Sequence, residues 1–238
     1  MKVKLVFDMQ SIPITYRLGT LSIIKEMVRN GSQTYYDNLF VQNKRNMKPF
    51  TYSTYITNLD ISQETIYGKE LHLNLSSSSY EFIMHLMNGS KKGQVYYIQE
   101  SQLVLKTKNL LPKKSIKEEN VVFKTLSPIL IESKDKKPIL ATDSNFNEEL
   151  QYVANLIIRE LYKREPQQPI KVLQTMMTKQ VLKEDLHQKQ KRPLYLTTNK
   201  GLIQLQGAPD DLQCLYDNGV SMRRSLGLGL LEVEKEVN

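Results

Sequence analysis

The residues of this chain best suited to chemistry on a phosphate lie near its C-terminus, in the run Gly219-Val220-Ser221-Met222-Arg223-Arg224-Ser225-Leu226-Gly227-Leu228-Gly229. Glycine lets a backbone approach an anion closely and adopt conformations closed to other residues, and guanidinium groups pair with phosphate oxygens. The run therefore reads as a phosphate cradle built on its glycines, with Arg223 and Arg224 as the cations. The alternative is architectural: Gly219 ends a helix and Gly227 admits a tight entry into a strand. Neither a dinucleotide fingerprint nor a P-loop fits, because the glycine spacing differs and a helix precedes the loop instead of following it.

The other reactive side chains are few. His72, His85 and His187 are the three histidines, none at metal-ligand spacing, and the single Cys214 excludes an internal disulfide or a cysteine-rich zinc site. No metal or other cofactor is expected. His85 falls in an apolar helical stretch and His72 on a strand, where packing or simple exposure is the plain reading. His187 lies beside Lys189, Lys191 and Arg192, a basic run that either contacts a nucleic acid or is merely solvated. Cys214, among Leu212, Leu215 and Tyr216, reads as packing.

These candidates sit in a chain of 238 residues, 40% of them hydrophobic, which suffices for one large core or two small ones. Lys and Arg total 33 against 25 Asp and Glu, a formal charge of +8, so polyanions are attracted and a nucleic acid is the first candidate partner. There is no apolar run of spanning length and no long basic amphipathic helix with an aromatic face, so no membrane association is expected. The opening apolar run is cut short by Asp8 and Gln10, unlike a signal peptide, and a cytoplasmic location is expected.

The elements that must position the candidates follow from periodicity. Lys2–Phe7 alternates as a strand, and Leu21, Ile24 and Val28 repeat at helical spacing up to Asn30-Gly31. Phe50–Ile56 and Glu70–Leu75 read as strands, and Ser78 with Glu81 reads as a capping box for a helix that stops at Asn88-Gly89. Gln94–Ile98 is the expected fourth strand, with a further extended stretch over Leu103–Thr107. The charged segment 113–120 after Pro112 is the expected linker between a domain over 1–112 and another over 121–238. In the second half, Val121–Ser127 reads as a strand, and Asp143 or Ser144 as the cap of a helix with the stripe Phe146, Leu150, Val153, Ala154, Ile157 and Leu161. Ile170–Met177 is extended, and so is Leu194–Gln206, with a fold expected at Asn199-Lys200-Gly201. Pro209, Asp210 and Asp211 open a last helix before a closing strand over Leu228–Glu234. Two consecutive units of this order predict an α+β protein of two tandem ferredoxin-like (RRM-like, βαββαβ) domains.

The glycine run, the preceding Gly207–Asn218 helix and the following Leu230-Leu231-Glu232-Val233 together resemble the C-terminal signature of the Cas-six family, the CRISPR repeat-processing ribonucleases of the RAMP superfamily. The family pattern is Gly-x-Gly, five residues, then Gly-x-Gly, and this chain departs from it at Ser221. The resemblance extends to Phe123-Lys-Thr-Leu-Ser-Pro, to Asn155-Leu-Ile-Ile-Arg and to Lys48-Pro-Phe-Thr-Tyr-Ser, so it spans nearly the whole chain. It implies the same tandem fold, a repeat-RNA ligand (precursor and mature), and metal-independent scission in which the 2′-hydroxyl attacks the adjacent phosphorus. The products would be a 2′,3′-cyclic phosphate and a 5′-hydroxyl. It also admits a homodimer and association with other subunits of a CRISPR effector complex.

Such chemistry needs a base, an acid and cations for the phosphorane. The family's histidine is expected between the first helix and the Lys48-Pro49-Phe50 strand, yet no histidine occurs between Met1 and Leu71. Family spacing puts Tyr36 at its place, with Lys44, Arg45 and Lys48 downstream as phosphorane cations or as groups that lower the tyrosine pKa. A tyrosine of pKa about 10 is a competent acid, but only about one in a thousand is ionised at pH 7. The alternatives are that Tyr35 and Tyr36 pack or stack on a base, and that the chain retains RNA without cutting it.

Overall fold

A computed structural model describes residues 1–112, 114–185 and 193–237. His187, Lys189, Lys191 and Arg192 lie outside the described residues. By compactness the chain forms two units, one of Met1–Lys48, Thr54–Pro112 and Lys183–Tyr195, the other of Pro49–Ser53, Lys113–Leu182 and Leu196–Asn238. The division is not a single cut of the sequence.

The first unit contains β1 (Lys2–Met9), β2 (Ser11–Pro13), α1 (Arg17–Gly31), α2 (Gln33–Tyr36), a π-helical turn over Asp37–Gln42 and β3 (Phe50–Thr57), whose first residues group with the second unit. It continues with β4 (Asp60–Ser62), β5 (Thr65–Tyr67), β6 (Glu70–Ser77), α3 (Tyr80–Gly89), β7 (Val95–Ile98) and β8 (Ser101–Leu111). Alternation in β1 and β6 turns Val3, Leu5, Phe7, Leu71, Leu73 and Leu75 to one face, where all are buried. Against it lie Ile23, Ile24, Met27 and Val28 of α1 and Phe82, Ile83 and Leu86 of α3. The main sheet runs β3-β6-β1-β8-β7, with β1 antiparallel to both β6 and β8. This is the ferredoxin-like order with one added edge strand.

Two details correct the sequence reading here. The place of the fourth strand, beside β1, is taken by Ser101–Leu111, while Val95–Ile98 is only its hairpin partner at the edge. The cap of α3 is Ser79, whose Oγ accepts from Phe82 N at 3.1 Å, one residue beyond the expected Ser78. In addition, Gly31 and Gly89 do not close their helices in the left-handed conformation. They let α1 and α3 cross: a Cβ on Gly89 would lie 1.9 Å from the Met27 carbonyl oxygen.

The second unit contains β9 (Asn120–Thr125), α4 (Phe146–Tyr162), β10 (Lys171–Glu184), β11 (Leu194–Gln206), α5 (Pro209–Asn218) and β12 (Leu231–Val237). The ends of β10 and β11 nearest their connection group with the first unit. Its sheet runs β10-β11-β9-β12, with β9 antiparallel to β11 and β12, which is the same order again. The tandem ferredoxin-like architecture is thus present in both units. Described residues of the 113–120 segment dock on the second unit: Ile116 is buried, its N–H donates to Gln213 Oε1 at 2.9 Å, and Lys117 N donates to Glu236 at 2.8 Å.

Two further expectations are corrected. Strand β11 passes unbroken through Asn199-Lys200-Gly201, because buried Asn199 is engaged in cross-links: it donates to Ile139 O and accepts from Ala141 N. Helix α4 starts after Asn145 without a side-chain cap, and Asp143 instead accepts from Leu140 N. Among the described residues no helix is long and apolar enough to cross a membrane.

Candidate functional site

In the first unit, helical spacing places Lys25 and Arg29 one turn apart on α1, toward the rings that follow it. The Arg29 guanidinium lies 5.8 Å from the Tyr36 ring centre, and Lys25 Nζ lies 5.3 Å from that of Phe40. The Tyr36 and Phe40 rings are 5.4 Å apart, held by the π-helical turn, and Lys48 Nζ is 6.0 Å from Phe40. Among the described residues no carboxylate lies within ion-pair distance of Lys25 or Arg29. Burial holds the Lys25 amine below its usual pKa, and burial followed by the charge of Lys25 does the same to Lys48. Neighbouring cations with lowered pKa values gain most from an anion placed against them.

Lys48 has a second task. Its ammonium donates to the carbonyl oxygens of Asn43 at 2.7 Å, Asn46 at 2.9 Å and Lys44 at 3.3 Å, so it folds the 43–48 loop about itself. An ammonium has three donors, and three acceptors meet it here. The Lys48 side chain is thereby held in place beside the Phe40 ring. Of the expected catalytic set, Tyr36 and Lys48 come together around Phe40, whereas the Lys44 side chain is exposed and only its carbonyl oxygen takes part.

The two described histidines, His72 and His85, are engaged elsewhere. His85 on α3 stacks on Tyr35, with ring centres 4.8 Å apart, and its Nδ1 is buried without a hydrogen-bond partner. Tyr35 thus turns away to α3, and burial raises its pKa. His72 Nε2 is 3.0 Å from Glu70 Oε2, and Glu70 also receives Lys106 at 2.7 Å. The hydrogen bonds from His72 and Lys106 hold the Glu70 carboxyl down at about 2.

In the second unit the glycine loop is more enclosed than a bare cradle. Gly227 has φ +77° and its Cα faces the Tyr52 ring, where a Cβ would lie 2.5 Å from a ring carbon. Gly219 and Gly229 also have positive φ, and all three are buried. Ser221, where the family pattern has glycine, does not have a positive φ; its Oγ accepts from Leu130 N at 2.8 Å. The departure is accommodated because that position needs no left-handed backbone and the hydroxyl ties the loop to its neighbour.

Arg224 corrects the expectation of two outward arginines. It is only 4% exposed, and it donates to Asn218 O at 2.7 Å. Burial lowers its guanidinium to about 10. Arg223 remains outward, its side chain about one-third exposed, with a carboxylate of Glu132 at 3.5 Å. Ser225 is half-buried. Lys189, Lys191 and Arg192 lie outside the described residues, and Cys214 is buried, its thiol pushed up to about 11 by burial.

Lys25, Arg29 and Phe40 were missed from sequence. The signal available was the i, i+4 basic pair on α1, together with an aromatic residue four positions after Tyr36.

The description "CRISPR associated protein Cas6, C-terminal" belongs to the family whose model matches residues 111–233, just over half of the chain. No curated protein matches the sequence. Among solved structures, one described as a Cas6-related gene from Pyrococcus furiosus superposes with a TM-score of 0.82 at 21% identity, covering 100% of this chain and 99% of that one. A RAMP protein described as binding different RNA substrates gives 0.78 at 19% identity, covering 99% and 100%. A Cas6 product complex gives 0.61 at 14% identity, covering 98% of both chains. At these identities the superpositions establish the tandem fold, and the family match, which includes the glycine loop and both flanking elements, establishes membership: the chain belongs to the Cas6 family of CRISPR-associated proteins.

Proposed function

We propose that this protein binds CRISPR repeat RNA and cleaves the precursor at the cluster around Phe40, without a metal. The observation that carries the reading is the gathering of Lys25, Arg29 and Lys48 about the Tyr36 and Phe40 rings. In the proposed reaction the 2′-oxygen bonds to phosphorus as its proton leaves, and the bond from phosphorus to the 5′-oxygen breaks as that oxygen gains a proton. Tyr36 supplies the departing proton. Lys25, whose pKa burial lowers, takes the proton of the 2′-hydroxyl in the fraction of molecules in which its amine is neutral, while Arg29 and Lys48 hold the phosphorane charge. On the second unit, Arg223 serves as a phosphate contact, and the buried loop residues Gly219, Ser221, Arg224, Gly227 and Gly229 shape the turn that presents it.

The test is single-turnover cleavage of a repeat oligonucleotide in excess EDTA, beside the same oligonucleotide with a 2′-deoxyribose at the scissile position. Cleavage of the first and tight binding without cleavage of the second is expected. Metal dependence, or cutting of the deoxy substrate, would overturn the mechanism. A second reading, an RNA-retaining subunit without turnover, is favoured by the engagement of His72 with Glu70 and of His85 with Tyr35. It predicts tight repeat binding and no product.

A further inference from the structure

Next to the glycine loop, the second unit has an open cleft of about 480 Å³. That volume falls in the roughly 300–1,000 Å³ range of small-molecule sites. Two apolar side chains line it. Tyr152 of α4 is 56% exposed, on the side of the helix away from the buried stripe of Leu150, Val153, Ala154 and Ile157, so the core does not require it. Met222 comes from the glycine loop, and its N–H donates to Leu130 O at 2.9 Å, which fixes its backbone.

The polar lining has two parts. Lys134 and Lys136 sit at the tip of a turn closed by Ser133 N donating to Lys137 O at 2.8 Å. Glu148 and Glu149 come from the first turn of α4. A third carboxylate, Glu132, is also in the lining and lies 3.5 Å from Arg223, so the cleft opens beside the outward arginine of the loop.

A simple anion would be repelled by the two α4 carboxylates, and a simple cation would leave the ring, the thioether and the lysines unused. The lining asks for a ligand with three faces. It needs a flat π-surface for Tyr152 and Met222, adjacent N–H donors for a carboxylate, and negative charge for Lys134 and Lys136. Among RNA bases guanine alone presents two neighbouring donors, N1–H and N2–H, on its Watson–Crick edge. Adenine and cytosine set one amine beside an acceptor nitrogen, and uracil sets one N–H between two carbonyls.

We propose that this cleft takes an unpaired guanine of bound single-stranded RNA, stacked on Tyr152 beside Met222, with its donor edge on Glu148 or Glu149 and its flanking phosphates on Lys134 and Lys136. The proposal rests on the reading that the chain binds RNA, and it adds a base-selecting site to it. A splayed base held by an aromatic ring and hydrogen bonds to its edge is how single-stranded RNA is commonly read.

The test is equilibrium binding of labelled oligouridylates that carry one central guanosine, inosine, adenosine or uridine. Wild type should prefer guanosine over adenosine and uridine by about 5- to 100-fold, the worth of one paired edge contact, with inosine between, because it lacks the N2 amine. Tyr152→Ala should weaken the guanosine oligonucleotide by about 5- to 100-fold, and Tyr152→Phe should restore it. Replacing both Glu148 and Glu149 by Gln should erase the preference for guanosine. Equal affinity of wild type for all four, or indifference to Tyr152→Ala, would overturn the cleft proposal and leave RNA binding standing. Failure of wild type to bind any of the four while it binds the cognate repeat would overturn the cleft proposal alone, and failure to bind the repeat as well would overturn the RNA reading with it.

Discussion

Tyr36, placed from family spacing alone, lies beside Arg29, a cation that the sequence reading did not single out. If its hydroxyl protonates the leaving oxygen, Tyr36→Phe should keep RNA affinity and slow single-turnover cleavage by about 10²- to 10⁴-fold. If the ring only stacks, Phe should cut as well as wild type and Ala should lose about 1–3 kcal/mol of binding. Lys25 has a separate signature. As the base it must be neutral, and burial lowers its pKa from 10.5, so the rising limb of the pH–rate profile should have its midpoint below that value. Lys25→Met should remove that limb, whereas a profile unchanged in Lys25→Met would take the residue out of the proton transfer. The two arginines part company in the same way. Arg223→Ala should reduce the slope of log affinity against log salt by about one, with stability unchanged. Arg224→Ala should lower stability by about 1–3 kcal/mol, because it removes the donor to buried Asn218 O, and should leave the slope as it was. From sequence alone these adjacent arginines are indistinguishable, since burial in a loop depends on which way a left-handed residue such as Arg223, φ +54°, turns the chain.

At the scale of elements, the cluster depends on α1 holding Lys25 and Arg29 in register with the turn that carries Tyr36 and Phe40. The crossing of α1 with α3 sets that register, and it tolerates no side chain at Gly31, where a Cβ would lie 2.0 Å from the His85 carbonyl oxygen. Gly31→Ala should therefore lower the Tm by an amount equivalent to about 1–3 kcal/mol, the usual cost of overpacking. An unchanged Tm would show that the helices separate freely. Helices and strands with a clear period, such as β1, α1 and β9, were legible in the sequence because one face of each is buried and the alternation records it. The fourth strand of the first unit was not. Val95–Ile98 and Ser101–Leu111 alternate equally well, and only the pairing with β1 decides which is central. The same limit applies to Asn30-Gly31 and Asn88-Gly89, which look like left-handed helix ends but serve a backbone crossing. That function depends on residues far away in sequence.

For the whole molecule, two units repeat one strand order without a visible residue repeat. The net charge of +8 made a polyanion the expected partner class. It could not show that one arginine of the loop is internal, or that Lys48 is committed to its own loop. The proposed mechanism has a chain with no histidine in the expected segment cut its RNA by means of Tyr36 and the surrounding cations. The most direct measurement is single-turnover cleavage of the cognate repeat in EDTA by wild type, Tyr36→Phe and Tyr36→His. Product is expected from wild type, with a loss of about 10²- to 10⁴-fold in Phe and cleavage in His, whose imidazole of pKa near 6.5 supplies acid and base at neutral pH. Tight binding with no product from any of the three would contradict it, and would make the protein a carrier of repeat RNA.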